Sequence, residues 1–599
     1  MSARRRSSPA AQPEPGALVV RVITDVAGID KEFDYLAPAA SARPVEVGAQ
    51  VRIELHGRRV GGWVSETGVE PPQGLALREL AKVRGWGPEP GLVDMSSWAA
   101  HRWASRRGAF LTTASSDRAV PALPSPGLRP PAPPGPGWAV DVVGAAEPGS
   151  TVVQLPPATD PTALVGALAQ SGPVLVVVPS AQRAAVLADR LGRAGGDVAL
   201  LPGDWARARA GAAVVIGTRA AAWGPCPGLA AAVVLDAHDE SLVQEGAPTW
   251  DAVTVAAERA RRAAVPLLLV TPCPTPELLA LGPLVVPEPE RQREGWAQLE
   301  VIDRRGDDPR MGLYSERLVT ILRDAGKAVC VLNRTGRARL LACAACGDLA
   351  RCERCGSAVS QATGDTGSGD AQPGSSVLVC ENCGLERPEI CASCTSTVLR
   401  RLKVGVTRAR EELELLTGRT VGEVTASTTE LPATELLIGT EAVLHRLSPG
   451  DGHRCVVFID FDQELSAPRF RAAAESLSLL SLASRLVGGR RGRVAVQTRQ
   501  PEHPVIRAAL LARPALLSEW DTEMRRSLRL PPFSAIAVVS GEGASDYITG
   551  LAERDVEILG PRGGQWMVKA PDHQTLADAL ASVPRPAARL RVAVEPARL

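Results

Sequence analysis

The rhythm of apolar and polar positions changes several times along the chain. From 17 to about 70, short runs such as ALVVRVI, AQVRIEL and RRVGGWVSE are split by Gly and Pro and predict a small β domain. Around 93–112 the stretch VDMSSWAAHRWASRRGAFLT predicts one or two short helices. The segment PALPSPGLRPPAPPGPG at 121–137 is too rich in proline for either periodicity and reads as a linker. From 150 to 290, apolar runs (TVVQL, VLVVVP, AAVVIGT, AAVVLD, PLLLVT) alternate with Ala-rich helical stretches, the signature of a parallel sheet with crossover helices. The same alternation returns at 313–333 and 400–500 (AVCVLN, ELLIGT, CVVFID, RVAVQT), interrupted by a block of cysteines. That pattern predicts a second α/β lobe with an inserted metal module, in which ATGDTGSGDAQPGSS at 362–376 is a flexible loop. A mixed α/β segment follows from about 505.

Composition narrows the class. At 599 residues the chain exceeds one compact core and suits about four domains of roughly 150 residues. Its 45% hydrophobic and 22% charged residues are those of a folding chain. With 67 basic and 66 acidic residues, any grip on a polyanion must come from local clustering and not from a global field. Only five of the basic residues are lysine (Lys31, Lys82, Lys327, Lys403, Lys569), which suggests a compositionally biased genome more than selection for guanidinium chemistry. The start, with Arg4, Arg5 and Arg6 followed by SSPAAQPEPG, has no apolar stretch for a signal peptide, and runs such as LAAAVVL at 229–235 are far below the roughly 18 residues of a membrane span. The expectation is a cytoplasmic protein without a membrane partner.

Eight of the twelve cysteines lie between 343 and 394 as four Cys-x-x-Cys pairs: Cys343/Cys346, Cys352/Cys355, Cys380/Cys383 and Cys391/Cys394, with 5, 24 and 7 residues between successive pairs. Two residues between thiolates let one tight turn aim both sulfurs at one ion, and two such turns complete a tetrahedral shell. The expectation is therefore two structural zinc ions, in preference to redox pairs or packed thiols. Spacing alone permits three pairings of the knuckles; a nested one is natural if the inner two flank a ribbon hairpin.

Two parallel-sheet lobes suggest a nucleotide-driven motor, whose phosphate loop requires Gly-x-x-x-x-Gly-Lys-Ser/Thr. Only Lys327 among the five lysines follows a glycine, and it precedes Ala328 and lacks the upstream glycine. Where the first strand of the lobe ends, the chain reads Gln154-Leu155-Pro156-Pro157-Ala158-Thr159-Asp160-Pro161-Thr162, whose prolines remove amide donors and whose Asp160 repels phosphate. A strand in AAVVLDAHDES reaches Asp236, but Ala237 stands where a motor places the glutamate that orients water. Asp236, His238 and Asp239 invite comparison with a metal or acid–base cluster; polarity of a surface loop at a strand end is the commoner situation and the expectation here.

Taken together, these residues resemble the PriA family of primosomal replication-restart proteins, relatives of superfamily 2 helicases. Phe33-Asp34-Tyr35, followed by VGAQVRIELHGRRVGGWV, is similar to the family's β-rich domain, where Phe-Asp-Tyr belongs to a pocket for the free 3′ end of the nascent leading strand; Gly57 and Arg78 match other positions of that pocket. VLVVVPS, VVIGTRAAAWGP and VVLDAHDESLVQEG resemble family motifs of the first lobe in order, and CVLNRTGRARLLACAACG, LLIGTEAVLHRL, FIDFDQEL and VAVQTRQPEHPVI those of the second. The resemblance implies an α/β multidomain protein: a disordered tail (1–16), a β-rich 3′-end DNA-binding domain (17–92), a winged-helix-like segment (93–120), a Pro-rich linker (121–140), RecA-like lobe 1 (145–290), RecA-like lobe 2 (296–340 and 400–503), a two-zinc insertion (341–399) and a C-terminal α/β domain (505–599). It favours the nested zinc pairing, with Cys343, Cys346, Cys391 and Cys394 on one ion and Cys352, Cys355, Cys380 and Cys383 on the other.

Departures from the family pattern coincide with ATP chemistry. The phosphate loop is replaced; aligned on His238, the family's acidic pair becomes Leu235 and Asp236 with Ala237 after it; and the arginine-finger motif reads Ser481-Leu482-Ala483-Ser484-Arg485-Leu486-Val487-Gly488, which keeps only its first arginine. The resemblance and its departures imply a nucleoid-associated protein that binds abandoned or stalled forks and single-stranded DNA without ATP-driven unwinding or a working ATP/Mg2+ site. Implied partners are the primosome proteins, the replicative helicase or its loader, and single-stranded-DNA-binding protein. The competing expectations are an active ATP-dependent 3′–5′ helicase with an unconventional nucleotide site and a zinc-ribbon scaffold that contacts only proteins. Arg485, Arg490, Arg491, Arg493 and Arg499 form a basic stretch that suits either a solvated face or phosphate contacts.

Overall fold

The computed structural model describes residues 17–598 apart from 27, 39–44, 71–75, 136, 308–311, 333–340, 355–358, 363–376, 381–384, 402–405 and 426–427. The tail at 1–16 and nearly all of the loop expected at 362–376 thus lie outside the described residues.

Alternating burial in the first 90 residues produces an antiparallel five-stranded sheet in the order Glu32–Leu36, Val19–Thr24, Arg58–Thr67, Gln50–Leu55, Lys82–Gly85. Its inner face buries Val20, Val22, Tyr35, Val51, Ile53 and Val64. Helices Pro90–Arg102 and Arg107–Ala114 follow, Val93 and Leu111 packing on Ile23 and Trp63 of the sheet. On their other side a run of aromatic contacts, Trp98–Trp103–Phe110–Trp223–Trp250, seats the helices on the next lobe. The proline-rich segment does not hang free. It runs along that lobe, with Gly127 N–H donating to the Gly211 carbonyl (2.9 Å) and Ala132 N–H to Ala194 (2.7 Å).

Fully apolar runs become central strands because a parallel sheet is covered on both faces. The first lobe is a seven-stranded parallel sheet in the order Leu284–Val285, Gly149–Gln154, Pro266–Thr271, Ala231–Leu235, Val174–Val177, Val214–Gly217, Val198–Leu200. The second is a six-stranded parallel sheet in the order Gln298–Asp303, Arg493–Thr498, Cys455–Phe458, Ala328–Val331, Leu436–Gly439, Val421–Val424. The cysteine module departs from the second lobe after Ala328–Val331 and returns before helix Val406–Thr417. The chain ends in a four-stranded antiparallel sheet, Glu557–Arg562, Gln565–Ala570, Ala535–Ser540, Arg591–Val594, with helices Ala544–Leu551 and His573–Ser582. This sheet joins the first lobe, Thr249 Oγ1 donating to the Val594 carbonyl at 2.6 Å. No helix among the described residues is long and apolar enough to cross a membrane.

Candidate DNA-end cleft, cysteine cluster and interlobe site

A cleft of about 490 Å³ opens at one edge of the N-terminal sheet. Phe33, Asp34, Tyr35, Gly57 and Arg78 all line it, with Glu32, Glu54 and His56. Three local features bring them together. Strand Glu32–Leu36 supplies the first three; Tyr35 turns into the core and donates its hydroxyl to the Glu54 carbonyl (2.9 Å), while Asp34 points to the other face. His56 and Gly57, at φ +49° and +75°, form the two-residue turn between Gln50–Leu55 and Arg58–Thr67 that a right-twisted hairpin requires. Leu36 donates its backbone N–H to the Arg78 carbonyl and accepts from the Leu80 N–H, both at 2.9 Å, which places Arg78 beside the strand.

Charge at the cleft is arranged around carboxylates. Arg21, directly opposite Asp34 in register, donates to it through Nε (2.9 Å) and Nη2 (3.4 Å), and donates to Glu66 at 2.9 Å. Arg78 donates to Glu54 at 3.0 Å. Glu32 is likewise paired, with Arg107 at 2.5 Å, but Arg107 and Arg21 stand outside the cleft lining. The Asp34 oxygens keep acceptor capacity beyond these bonds, and Glu32, Asp34 and Glu54 outnumber the Arg78 guanidinium that an incoming phosphate would meet. Such a cleft can accept a hydroxyl and disfavour a terminal phosphate. Arg21 and Glu54 were not legible as partners, because strand register alone sets Arg21 opposite Asp34 and tertiary packing alone brings Glu54 to Tyr35 and Arg78.

In the cysteine module, strand Leu341–Cys343 pairs antiparallel with Leu399–Arg401 and so brings the first and last knuckles together. The sulfurs of Cys343, Cys346, Cys391 and Cys394 all lie within 4.8 Å of one another, Cys343 to Cys394 at 3.4 Å and Cys346 to Cys391 at 3.6 Å. Four thiolates about 2.3 Å from one ion sit about 3.8 Å apart, so the cluster has the size of a tetrahedral shell. Gly347 (φ +77°) and Thr395 (φ +60°) close the two turns. Burial pushes the Cys343 thiol up, but the Cys346 and Ala345 amides and the neighbouring thiols outweigh it and hold Cys343 at about 6. The inner strands Val359–Ala362 and Val377–Cys380 form an antiparallel pair with Val359 opposite Cys380, and Cys352 and Cys380 are buried in one small core. Cys355 and Cys383 lie outside the described residues.

Between the lobes is a cleft of about 1340 Å³, lined by Arg183, Arg190, Arg291, Arg485, Arg490 and Arg491 together with Asp160 and Glu294. Asp160 accepts from the Thr162 N–H (2.9 Å) and from Arg190 (2.7 Å), so the start of helix Thr162–Leu168 already holds a carboxylate. The expectation of ordinary loop polarity at 236–239 does not hold. Asp236, at φ +50° after strand Ala231–Leu235, is 5% exposed and ion-paired with Arg183 and, at 2.6 and 3.0 Å, with Arg485. His238 bonds Thr271 Oγ1 through Nδ1 and Ser478 Oγ through Nε2, each at 2.9 Å. Only Asp239 behaves as a loop residue, accepting from the Ser241 N–H at 2.9 Å. A buried ion pair across two lobes has no signature within either segment, which is why the strand-end reading missed it. Nor do the arginines at 485–499 all share one face: Arg485, Arg490 and Arg491 line the cleft, Arg493 lies 3.7 Å from Glu300, and the Arg499 side chain donates to the Gly347 carbonyl at 3.4 Å.

The sheet edge and its cleft belong to a DNA-binding module: residues 21–116 match the family model of the 3′ DNA-binding domain (3′BD) of PriA. Over a wider span the chain is similar to the probable replication restart protein PriA of Mycobacterium tuberculosis (strain CDC 1551 / Oshkosh), 28% identical over 580 residues covering 88% of this chain and 86% of that protein. It is 26% identical over 392 residues to the replication restart protein PriA of Thermotoga maritima, covering 60% of this chain and 51% of that one. These similarities identify the chain as a relative of replication restart protein PriA, matched over most of its length. Among solved structures it is similar to a DEAD box protein from the hyperthermophile Methanococcus jannaschii, with a TM-score of 0.29 and 11% identity, over 64% of this chain and 87% of that one.

Proposed function

We propose that this protein acts in replication restart by binding forked DNA and seating the free 3′ hydroxyl of a nascent strand against Asp34. The observation that carries this reading is the convergence of Phe33, Asp34, Tyr35, Gly57 and Arg78 on one carboxylate-lined cleft within the region matched to a 3′ DNA-binding domain. A hydroxyl donates to a carboxylate that Arg21 holds in place, and the half-buried ring of Phe33 offers an apolar wall beside it. The protein then serves as a platform for primosome proteins, the replicative helicase or its loader and single-stranded-DNA-binding protein.

Two zinc ions complete the cysteine module in this reading, the first on Cys343, Cys346, Cys391 and Cys394, whose sulfur separations support it, and the second on Cys352, Cys355, Cys380 and Cys383. Bound zinc supplies folding energy to a segment with little core of its own.

The lobes do not hydrolyse ATP in this proposal. Phosphoryl transfer relies on a lysine and backbone amides at the phosphates, a carboxylate on magnesium, a glutamate on water and arginines on developing charge. Here no lysine among the described residues lines the cleft, Asp236 is engaged by two arginines, Ala237 replaces the glutamate, and Asp160 stands at the helix start. The test is ATP turnover by the purified full chain with forked DNA. Turnover indistinguishable from a DNA-free blank is expected; fork-stimulated hydrolysis abolished by Asp236→Asn would replace this reading with that of an active helicase.

A further inference from the structure

Arg471, the residue that caps one helix of the second lobe, Ala472–Leu486, and Ser478 and Arg485 within that helix are spaced seven residues apart. Two turns apart, such positions fall on one face. Arg471 at its start donates to Glu277 at 2.9 Å, Ser478 bonds His238 at 2.9 Å, and Arg485 at its end makes the bidentate pair with Asp236. All three partners belong to the first lobe. They follow the C-terminal ends of adjacent strands Ala231–Leu235 and Pro266–Thr271, the edge at which an open parallel sheet takes its ligands. Arg485 also donates to the Pro157 carbonyl at 2.9 Å, which ties the loop after a third strand, Gly149–Gln154, to the same helix.

We infer that this helix is a permanent clasp in which the Asp236 carboxylate serves as the built-in anion between Arg183 of one lobe and Arg485 of the other, holding the two lobes in one closed arrangement without any ligand. Two guanidiniums facing each other across a cleft repel and require an anion between them. In a cleft that opens and closes on an anionic ligand, that anion arrives and leaves; here it is part of the chain. Its side chain is 6% exposed, against 32% for Arg183 and 20% for Arg485, so salt and water reach the centre of the clasp poorly. The clasp is reinforced below by Arg525, fully buried, which pairs with Glu277 at 2.6 Å and Asp521 at 2.7 Å, and by Ser518, which donates to the Pro274 carbonyl. The consequence is a rigid pair of lobes that carries the N-terminal module, the cysteine module and the C-terminal sheet at fixed separations.

The experiment places donor and acceptor dyes on genetically encoded residues at Arg193 of the first lobe (side chain 78% exposed) and Leu415 of the second (86% exposed) in the full chain, leaving the cysteines untouched. Single-molecule energy transfer is expected to show one narrow distance population, unmoved by millimolar ATP with magnesium. Arg485→Gln is expected to broaden or split it, and Arg485→Lys to recover it in part. Should Arg485→Gln fail to fold, Ser478→Ala removes one neutral contact and is expected to broaden the population less. A broad wild-type distribution, a shift on adding ATP with magnesium, or an unchanged population in the folded variants would overturn the clasp. The readout requires neither DNA nor turnover, so its failure leaves the fork-binding reading standing, and failure to bind forks leaves the clasp standing.

Discussion

Replacing Asp34 with alanine separates a binding role from a folding role, because the structure assigns the two effects different sizes. Asp34 pairs with Arg21, but Arg21 keeps Glu66 as a second partner at 2.9 Å and its side chain is 32% exposed, so the substitution leaves no buried guanidinium without a counter-charge. The loss in folding stability is that of a partly exposed ion pair, about 0.2–1 kcal/mol. A terminal hydroxyl bonded to a carboxylate is instead worth about 1.5–3 kcal/mol, which at about 1.4 kcal/mol per decade is about 10- to 150-fold in affinity. The assay is fluorescence anisotropy of forks whose leading strand ends in a 3′ hydroxyl or a 3′ phosphate, at one salt concentration because phosphate contacts weaken with salt. The wild type is expected to prefer the hydroxyl fork, since Glu32, Asp34 and Glu54 surround the end. Asp34→Ala is expected to lose that preference by weakening the hydroxyl fork, while the phosphate fork, relieved of one opposing carboxylate, binds as well as before or better and the melting temperature changes little. Equal wild-type affinity for both ends, or a loss shared equally by both forks in the variant, would refute the argument.

Other outcomes are open to measurement. Metal analysis of the purified chain is expected to find two zinc ions, with Cys343→Ser and Cys352→Ser each releasing about one, because ligation and folding are coupled; the same zinc content in variant and wild type would contradict it. Burial, opposed by Asp239 and reinforced by Arg485 and Arg183, holds His238 down at about 4, against about 6.5 in an unfolded chain. Its contribution to stability is therefore complete above about pH 6.5 and lost as pH falls from 6.5 toward 4, since the unfolded chain takes up that proton first. Melting curves of His238→Gln are expected to show a shallower decline than wild type across that window, and parallel declines would speak against the assignment. Trp223, fully buried between Phe110 and Trp250, is expected to cost about 3–5 kcal/mol on truncation to alanine, read by urea unfolding.

Short-range pattern determined much of this molecule. Runs such as VLVVV and AAVVL, apolar at every position, specify strands covered on both faces, and both parallel sheets are built from them. The Cys-x-x-Cys pairs needed only their own turns to mark a metal module, since the geometry of a knuckle is local. The absence of a Gly-x-x-x-x-Gly-Lys-Ser/Thr motif was equally local: five lysines can be checked one by one against it. What the sequence left open depends on contacts between distant residues. Which knuckles meet follows from Leu341–Cys343 pairing with Leu399–Arg401, a long-range register that spacing does not specify. Asp34 meets Arg21 only through strand pairing, and Asp236 meets Arg485 only once two separately patterned lobes dock. In an unfolded chain these charges are solvated individually; the folded arrangement removes Asp236 from water and supplies guanidiniums in its place, so tertiary structure alone decided that this carboxylate bridges the lobes.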